Sequence, residues 1–169
     1  MNSHAKEKWL LNEHNKTFLK WFKQKILQND YDVDDLKWLA IGSNINVITW
    51  SGDDINKFSF YTNTEDKKST MQNSGVTFEA KSMYFASLKD NNPVMATISY
   101  FGVIEEIWEV DYVKFRVPVF KCKWVDSNTR VHVDDLGFTL VDLAKIGSKE
   151  DPFIMAYQAK QVFLCQRSF

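Results

Sequence analysis

Arginine is scarce in this chain. Of 21 lysines and arginines in 169 residues, only Arg116, Arg130 and Arg167 are arginines. Bidentate reading of guanine or of phosphate relies on the planar guanidinium fork, so a sequence-specific DNA reader is not expected. The formal net charge is −1, which leaves no overall electrostatic pull toward nucleic acid or an acidic membrane. Cysteine is nearly absent as well. Cys122 and Cys165 stand far apart in strand-like apolar runs, which predicts two buried, reduced thiols rather than a disulfide. With His4, His14 and His132 they make no metal-ligand spacing, so no zinc site is expected.

Long apolar runs are missing too. Trp9-Leu10-Leu11 is too short for the core of a signal peptide and is flanked by Glu7 and Glu13. No window approaches the roughly 20 apolar residues of a membrane span, so a soluble, intracellular protein without a membrane partner is expected. Neither Gly-rich phosphate motif occurs. Asp30, Asp32, Asp34 and Asp35 fail as a calcium loop, because the sixth and twelfth positions counted from Asp30 are Asp35 and Ile41 instead of Gly and Glu. The Asp pairs at 34–35, 53–54 and 134–135 each have a cap or turn explanation. His132 has no Ser or Cys nucleophile coupled to it. In a regular strand Glu105 and Glu106 point to opposite faces, a poor arrangement for an acid/base pair. The expectation is therefore no enzyme and no cofactor.

What the chain has is aromatic mass and strand patterning. Apolar residues make up 44% and aromatics 15%, and each buried aromatic removes roughly 150–250 Å² from water. Asn12 to Leu27 reads as a helix with Asn12 as its cap. Trp21, Phe18, Phe22, Ile26 and Leu19 lie on one arc, and Lys16, Lys20 and Lys23 lie opposite. Asp35 to Ala40, capped by Asp34 and ended by Gly42-Ser43-Asn44, reads as a shorter helix with Leu36 and Leu39 inward. Strand signals follow. Val47–Trp50 and Ile55–Tyr61 read as a hairpin joined by a Ser51-Gly52-Asp53-Asp54 turn. Val76–Ser87, Ala96–Tyr112, Arg116–Val125, Val131–Val133, Phe138–Leu143 and Gln161–Cys165 read as further strands, with a helical turn over Pro152–Ala159. Ala96–Tyr112 is apolar on both pleat faces. Either both faces are covered or a bulge shifts the register near Glu105-Glu106. In Arg116–Val125, Phe120, Cys122 and Trp124 alternate with Lys121 and Lys123, so the aromatic face is the core face.

The fold class that follows is mainly β: a small, partly open SH3-like or rolled β-barrel with an N-terminal helical segment, α+β overall. The helical segment takes residues 1–45 and the barrel-like domain residues 46–166. The polar stretch Asn63 to Gly75 is the best candidate for a functional loop, and it contributes Lys67, Lys68, Gln72 and Asn73 as candidate partner-binding residues. Tyr100, Trp108 and Tyr112 are candidates to line a groove, or a cage for a methylated lysine. Lys121 and Lys123, with Lys67, Lys68 and the helix lysines, offer a surface that would touch nucleic-acid backbone without reading sequence.

Several strings also carry a resemblance. They are Lys68-Ser69-Thr70-Met71-Gln72-Asn73-Ser74-Gly75-Val76, Tyr100-Phe101-Gly102-Val103-Ile104-Glu105-Glu106-Ile107-Trp108-Glu109, Phe120-Lys121-Cys122-Lys123-Trp124-Val125, and Asp151-Pro152-Phe153-Ile154 with Gln161-Val162-Phe163. In order, they resemble the plant domain of unknown function that accompanies the transposase of CACTA (En/Spm-type) transposons. Asn12 to Phe22 looks like the linker helix before it, so the likeness covers roughly residues 10 to 166. It implies a nuclear accessory domain whose partner is a transposase or a chromatin component. Cleavage would belong to a separate upstream domain with a two-metal carboxylate cluster. No catalytic residue is carried over. The chain looks like an excised tail, whether a transposon remnant, a domesticated gene or a designed fragment. More loosely, Gly102-x-Ile104-x-x-Ile107-x-Glu109 followed by Phe120-x-Cys122-x-Trp124 is similar to the barrel of bromo-adjacent homology modules and their SH3-like relatives.

Overall fold

Helix formers without Gly or Pro run from Ser3 to Gln28, and in the computed structural model this whole stretch is one helix, α1 (Ser3–Gln28). The structure describes residues 3–28, 34–84, 94–125, 131–133, 135, 139–144, 147 and 151–164. The chain divides into two compact units, Met1–Val47 with Val110–Val117, and Ile48–Glu109 with Pro118–Phe169.

In the first unit, α1 starts nine residues earlier than its expected cap, Asn12. An interior Asn costs well under 1 kcal/mol relative to Ala, too little to stop a helix fed by good formers on both sides. The second helix, α2 (Asp34–Ile41), carries Asp34 and Asp35 in its first turn, where carboxylates favour the positive end of the helix dipole. It packs on α1. Eight residues span only about 12 Å, enough to cover the last turns of α1, where Ile26 is buried and Phe22 half-buried. The rest of the expected apolar arc, Phe18, Leu19 and Trp21, is exposed, and so are Leu27 and Leu39. Asn44 ties this unit to residues 110–117. Its backbone N–H donates to the Asp111 carbonyl at 2.8 Å, and its side-chain amide donates to the Asp111 carboxylate at 2.9 Å.

The second unit is built on antiparallel strands. In chain order they are β1 (Ile48–Trp50), β2 (Gly52–Ile55), β3 (Phe58–Tyr61), β4 (Gly75–Tyr84), β5 (Val94–Asp111), β6 (Arg116–Trp124), β7 (Val131–Val133), β8 (Thr139–Val141), β9 (Phe153–Met155) and β10 (Lys160–Gln161), with a short helix α3 (Asn63–Asp66) after β3. The main sheet has the order β10-β4-β5-β6-β9, and β1 also pairs with β5. β2–β3 and β7–β8 are separate two-stranded pieces. The fold is mainly β with helices, as expected, and the described strands make an open sheet with no closed barrel.

Two local expectations are corrected. β1 does not form a hairpin with residues 55–61; it pairs with β5, Trp50 facing Ile107. The hairpin is β2–β3, and Asp53 and Asp54 are strand residues opposite Phe60 and Ser59. Its loop is Asn56-Lys57, both at positive φ (52° and 70°), as a type I′ turn requires of its two central residues. Likewise, the expected helical turn at 152–159 begins as β9, paired with β6 through Phe120↔Ile154. Only Ala156–Gln158 coil into a single 3₁₀ turn. In both places a partner strand supplied backbone hydrogen bonds that local propensity alone did not anticipate.

The core lies on both faces of β5. Phe60, Val76, Ile104, Ile107, Phe120, Cys122, Trp124, Ile154 and Ala156 form one buried cluster; Val103, Val125, Val141 and Leu164 form another. Ile104 and Ile107 belong to the same cluster although they are three residues apart, and strict alternation would send them to opposite faces. The register therefore shifts at Glu105-Glu106. Upstream of the shift, Val103 and Phe101 serve the second cluster. β5 thus combines a bulge-type shift with burial on both faces.

β6 alternates as expected. Trp124 is 4% exposed and its ring lies 5.3 Å from that of Phe78. It also lies against Gly102, where a Cβ would stand 2.8 Å from a Trp124 ring carbon. Trp124→Ala should cost about 3–5 kcal/mol out of a total of roughly 5–15 kcal/mol. Lys123→Ala should change stability by about 0.5 kcal/mol or less. Urea melts of the two variants beside the parent check both values, and a Trp124 variant that melts like the parent would refute this packing.

Candidate functional site

The chain makes a corner between β1 and β2, and the candidate site forms there. Phe60 of β3 is fully buried and packs on Phe120 with ring centroids 5.0 Å apart, which anchors the hairpin in the core. Pleat alternation then turns its neighbour Tyr61 outward. Tyr61 pairs across the hairpin with Gly52. A Cβ at Gly52 would stand 2.6 Å from two carbons of the Tyr61 ring, so the absent side chain is what lets the ring lie on the β2 backbone. Asp54, two residues on, shares that face. Trp50 ends β1, and Glu109 faces Ile48 across the β1–β5 ladder. Trp50 and Glu109 are therefore diagonal neighbours on one sheet face.

Trp50, Ser51, Gly52, Asp53, Asp54, Tyr61 and Glu109 line a cleft of about 470 Å³. Trp50 is 50% exposed and Tyr61 41%. The cleft therefore sets two half-exposed aromatic rings among Asp53, Asp54 and Glu109. Among the described residues no lysine or arginine lines it.

A second cleft, about 320 Å³, lies along the loop after β3 and is lined by Tyr61, Glu65, Asp66, Lys68, Ser69, Met71 and Asn73. Tyr61 borders both clefts. The loop is held by its own polar groups. The Asp66 carboxylate accepts the backbone N–H groups of Asn73 and Ser74, each at 2.9 Å. Gln72 uses its whole amide on one backbone residue, donating to the Leu164 carbonyl at 3.1 Å and accepting the Leu164 N–H at 2.6 Å. Asn73 accepts the Tyr61 N–H through its carbonyl at 3.2 Å. Lys67 is exposed, and Lys68 pairs with Glu65 at 2.8 Å. Of the four residues singled out in this loop, Gln72 and Asn73 are thus committed to holding the loop's shape.

Tyr100 and Trp108, two of the three aromatics expected to line a groove, meet different partners. Tyr100 lies on the core face, stacked on Phe78 at 5.1 Å. Beyond the register shift, Trp108 faces the other way, tilted against Phe153 at 4.9 Å. Tyr112 belongs to the first unit and stacks on Phe115 at 5.1 Å. On the outer face, Trp108 donates its indole N–H to Glu106 at 2.8 Å, and Lys121 donates to the other Glu106 oxygen. The Lys121 ammonium also stands 5.9 Å from the Trp108 ring centre. The Lys121 hydrogen bond, then that of Trp108, holds the Glu106 carboxyl below its ordinary value. The same bond to Glu106 pushes Lys121 up. Lys123 is half-buried on this face. Cys122 is a free, buried thiol pushed up by burial. Cys165 lies outside the described residues. Among the described residues, no three His, Cys, Asp or Glu side chains are grouped to hold a metal ion, and no helix is long and apolar enough to cross a membrane.

Trp50 and Tyr61 were not among the residues singled out from the sequence. A signal for Tyr61 was present, since the alternation Phe58, Phe60 against Ser59, Tyr61 sends it outward. Reading Asp53-Asp54 as a turn hid the rest, because it left Trp50 and Tyr61 on the same two strands with no concavity between them.

Residues 108–168 match the family described as Domain of unknown function (DUF4216). The match takes in Trp108, Glu109, Lys121 and Lys123 and begins after the β1–β3 corner. No curated protein matches the chain, and no solved structure does.

Lys121→Met tests the outer-face pair. Glu106 has a depressed folded-state pKa, so its bridge favours the fold above the unfolded carboxyl pKa of about 4.3 and is lost as pH falls through the folded value. Removing the Lys121 donor should move the Glu106 titration upward toward its ordinary 4.5, read by carboxyl carbon NMR. An unmoved Glu106 titration would show the bridge to be absent in solution.

Proposed function

We propose that this chain is a non-catalytic interaction domain, derived from a plant CACTA transposon protein, that docks a transposase or chromatin partner in the cleft between Trp50 and Tyr61. The observation that carries the reading is that cleft. It is concave, it sets two half-exposed aromatic rings beside carboxylates, and it sits at the rim of a pinned core. Trp and Tyr give large contact areas for little lost conformational freedom, and they dominate binding hot spots. The strings similar to the transposon-associated family support the ancestry.

A nucleic-acid role would rest on lysines. Lys68 and Lys121 each sit in an ion pair with a carboxylate, which leaves their charge largely matched. Any such binding should be weak, indifferent to sequence and steeply lowered by salt.

A random peptide library selected on the full chain, then counter-selected on the Trp50→Ala, Tyr61→Ala double variant, tests the docking reading. Both rings are about half exposed, so the double variant should melt lower than the parent but remain folded at the assay temperature, which its melting curve checks. Selected peptides should lose at least about tenfold in affinity on it, as hot-spot truncation predicts. A set of binders indifferent to both rings would overturn the assignment of the cleft.

A further inference from the structure

We infer that the Trp50–Tyr61 cleft takes the side-chain ammonium of a lysine, unmodified or methylated, presented by an extended segment of the partner. This rests on the docking role proposed above and names its ligand chemistry.

Three features of the cleft converge on a cation. A ring quadrupole attracts a positive charge held over its face, Trp most strongly, and both rings here are accessible. Asp53 and Asp54 both line the cleft, and their negative charge favours a cation and repels an acidic peptide. Among the described residues no lysine or arginine lines the cleft. A bare metal ion is a poor alternative, because the carboxylates do not group as metal ligands must. At about 470 Å³ the space falls within the usual range for ligand pockets. It suits an ammonium on a four-carbon stem whose methylenes lie along the rings.

The site is also partly pre-shaped. Gly52 lets Tyr61 lie on the strand backbone, so the ring's position is fixed before a ligand arrives, which lowers the ordering cost of binding. Tyr61 borders the neighbouring cleft as well, with Met71 on its far side. In an extended peptide, alternate side chains stand about 7 Å apart. The test peptide therefore also carries an apolar residue two positions from the lysine, directed at the neighbouring cleft that Met71 lines.

The experiment uses the full chain and a nine-residue Ser/Gly peptide with a central dimethyl-lysine and a leucine two positions away. The comparison peptide carries norleucine in place of the modified lysine. Binding is read on the Trp50 indole N–H signal in two-dimensional NMR, assigned with Trp50→Phe. The dimethyl-lysine peptide should shift that signal in a saturable way, and the norleucine peptide should bind at least about tenfold more weakly. Asp53→Asn with Asp54→Asn should weaken the dimethyl-lysine peptide about tenfold. Gly52→Ala should weaken it as well, while the melting curve reports whether the hairpin still folds. Equal binding of the two peptides, or binding unmoved by the Asp53 and Asp54 changes in a folded variant, overturns the inference. The library of the preceding section separates the two failures. If its ring-dependent binders are neutral or acidic, the cation assignment is wrong and the docking site stands; if it has no ring-dependent binders, both fall.

Discussion

Strand β5 is the constraint on which the rest of the second unit depends. It pairs with β4 over ten successive positions, from Gly75↔Val103 to Tyr84↔Val94, and farther along it pairs with β1. β6 is its other neighbour in the sheet. A strand so engaged has little freedom to slip, because a one-residue slip would turn every side chain to the wrong face. The shift at Glu105-Glu106 is tolerated because it improves burial, keeping both Ile104 and Ile107 in the same cluster. Its consequence is outward. Glu106 and Trp108 are turned to the opposite face, where they meet Lys121 and Phe153.

The cleft is a secondary product of the same arrangement. Pairing β1 to β5 places Trp50 diagonal to Glu109, and it obliges the chain to turn immediately into β2. The β2–β3 hairpin is then set by Phe60 against Phe120, a contact between fully buried rings. Once Phe60 is inward, Tyr61 has to be outward, and Gly52 opposite it removes the side chain that would lift the ring. Each step is a packing decision, yet the result is a polar, aromatic concavity at the surface. Binding groups carried on corners and loops of a rigid scaffold commonly arise in this way.

The loop from Asn63 to Ser74 illustrates how polar side chains build a scaffold. Asp66 takes two backbone N–H groups, Gln72 clamps Leu164, and Gln161 reaches the Ser59 carbonyl at 2.7 Å. These bonds satisfy backbone groups that a loop packed on a sheet would otherwise leave without partners. They also explain why a polar loop need not be a binding loop. The side-chain amide of Gln72 is already engaged, while Lys67 and Met71 stay exposed along the loop.

From the sequence alone, the mainly β class, the core face of β6 and the anomaly at Glu105-Glu106 were legible. They follow from period-two burial, a property of each strand by itself: Phe120, Cys122 and Trp124 must share a face whatever lies next to them. The extent of α1, the true partner of β1, the strand character of 153–155 and the cleft were not legible. Each depends on which distant segment supplies hydrogen bonds or cover, and that is settled only when residues tens of positions apart meet. Tyr100, Trp108 and Tyr112 looked like one aromatic site because even spacing along a strand implies one face. The tertiary structure turned Trp108 away from Tyr100, because Ile104 and Ile107 are both buried in one cluster.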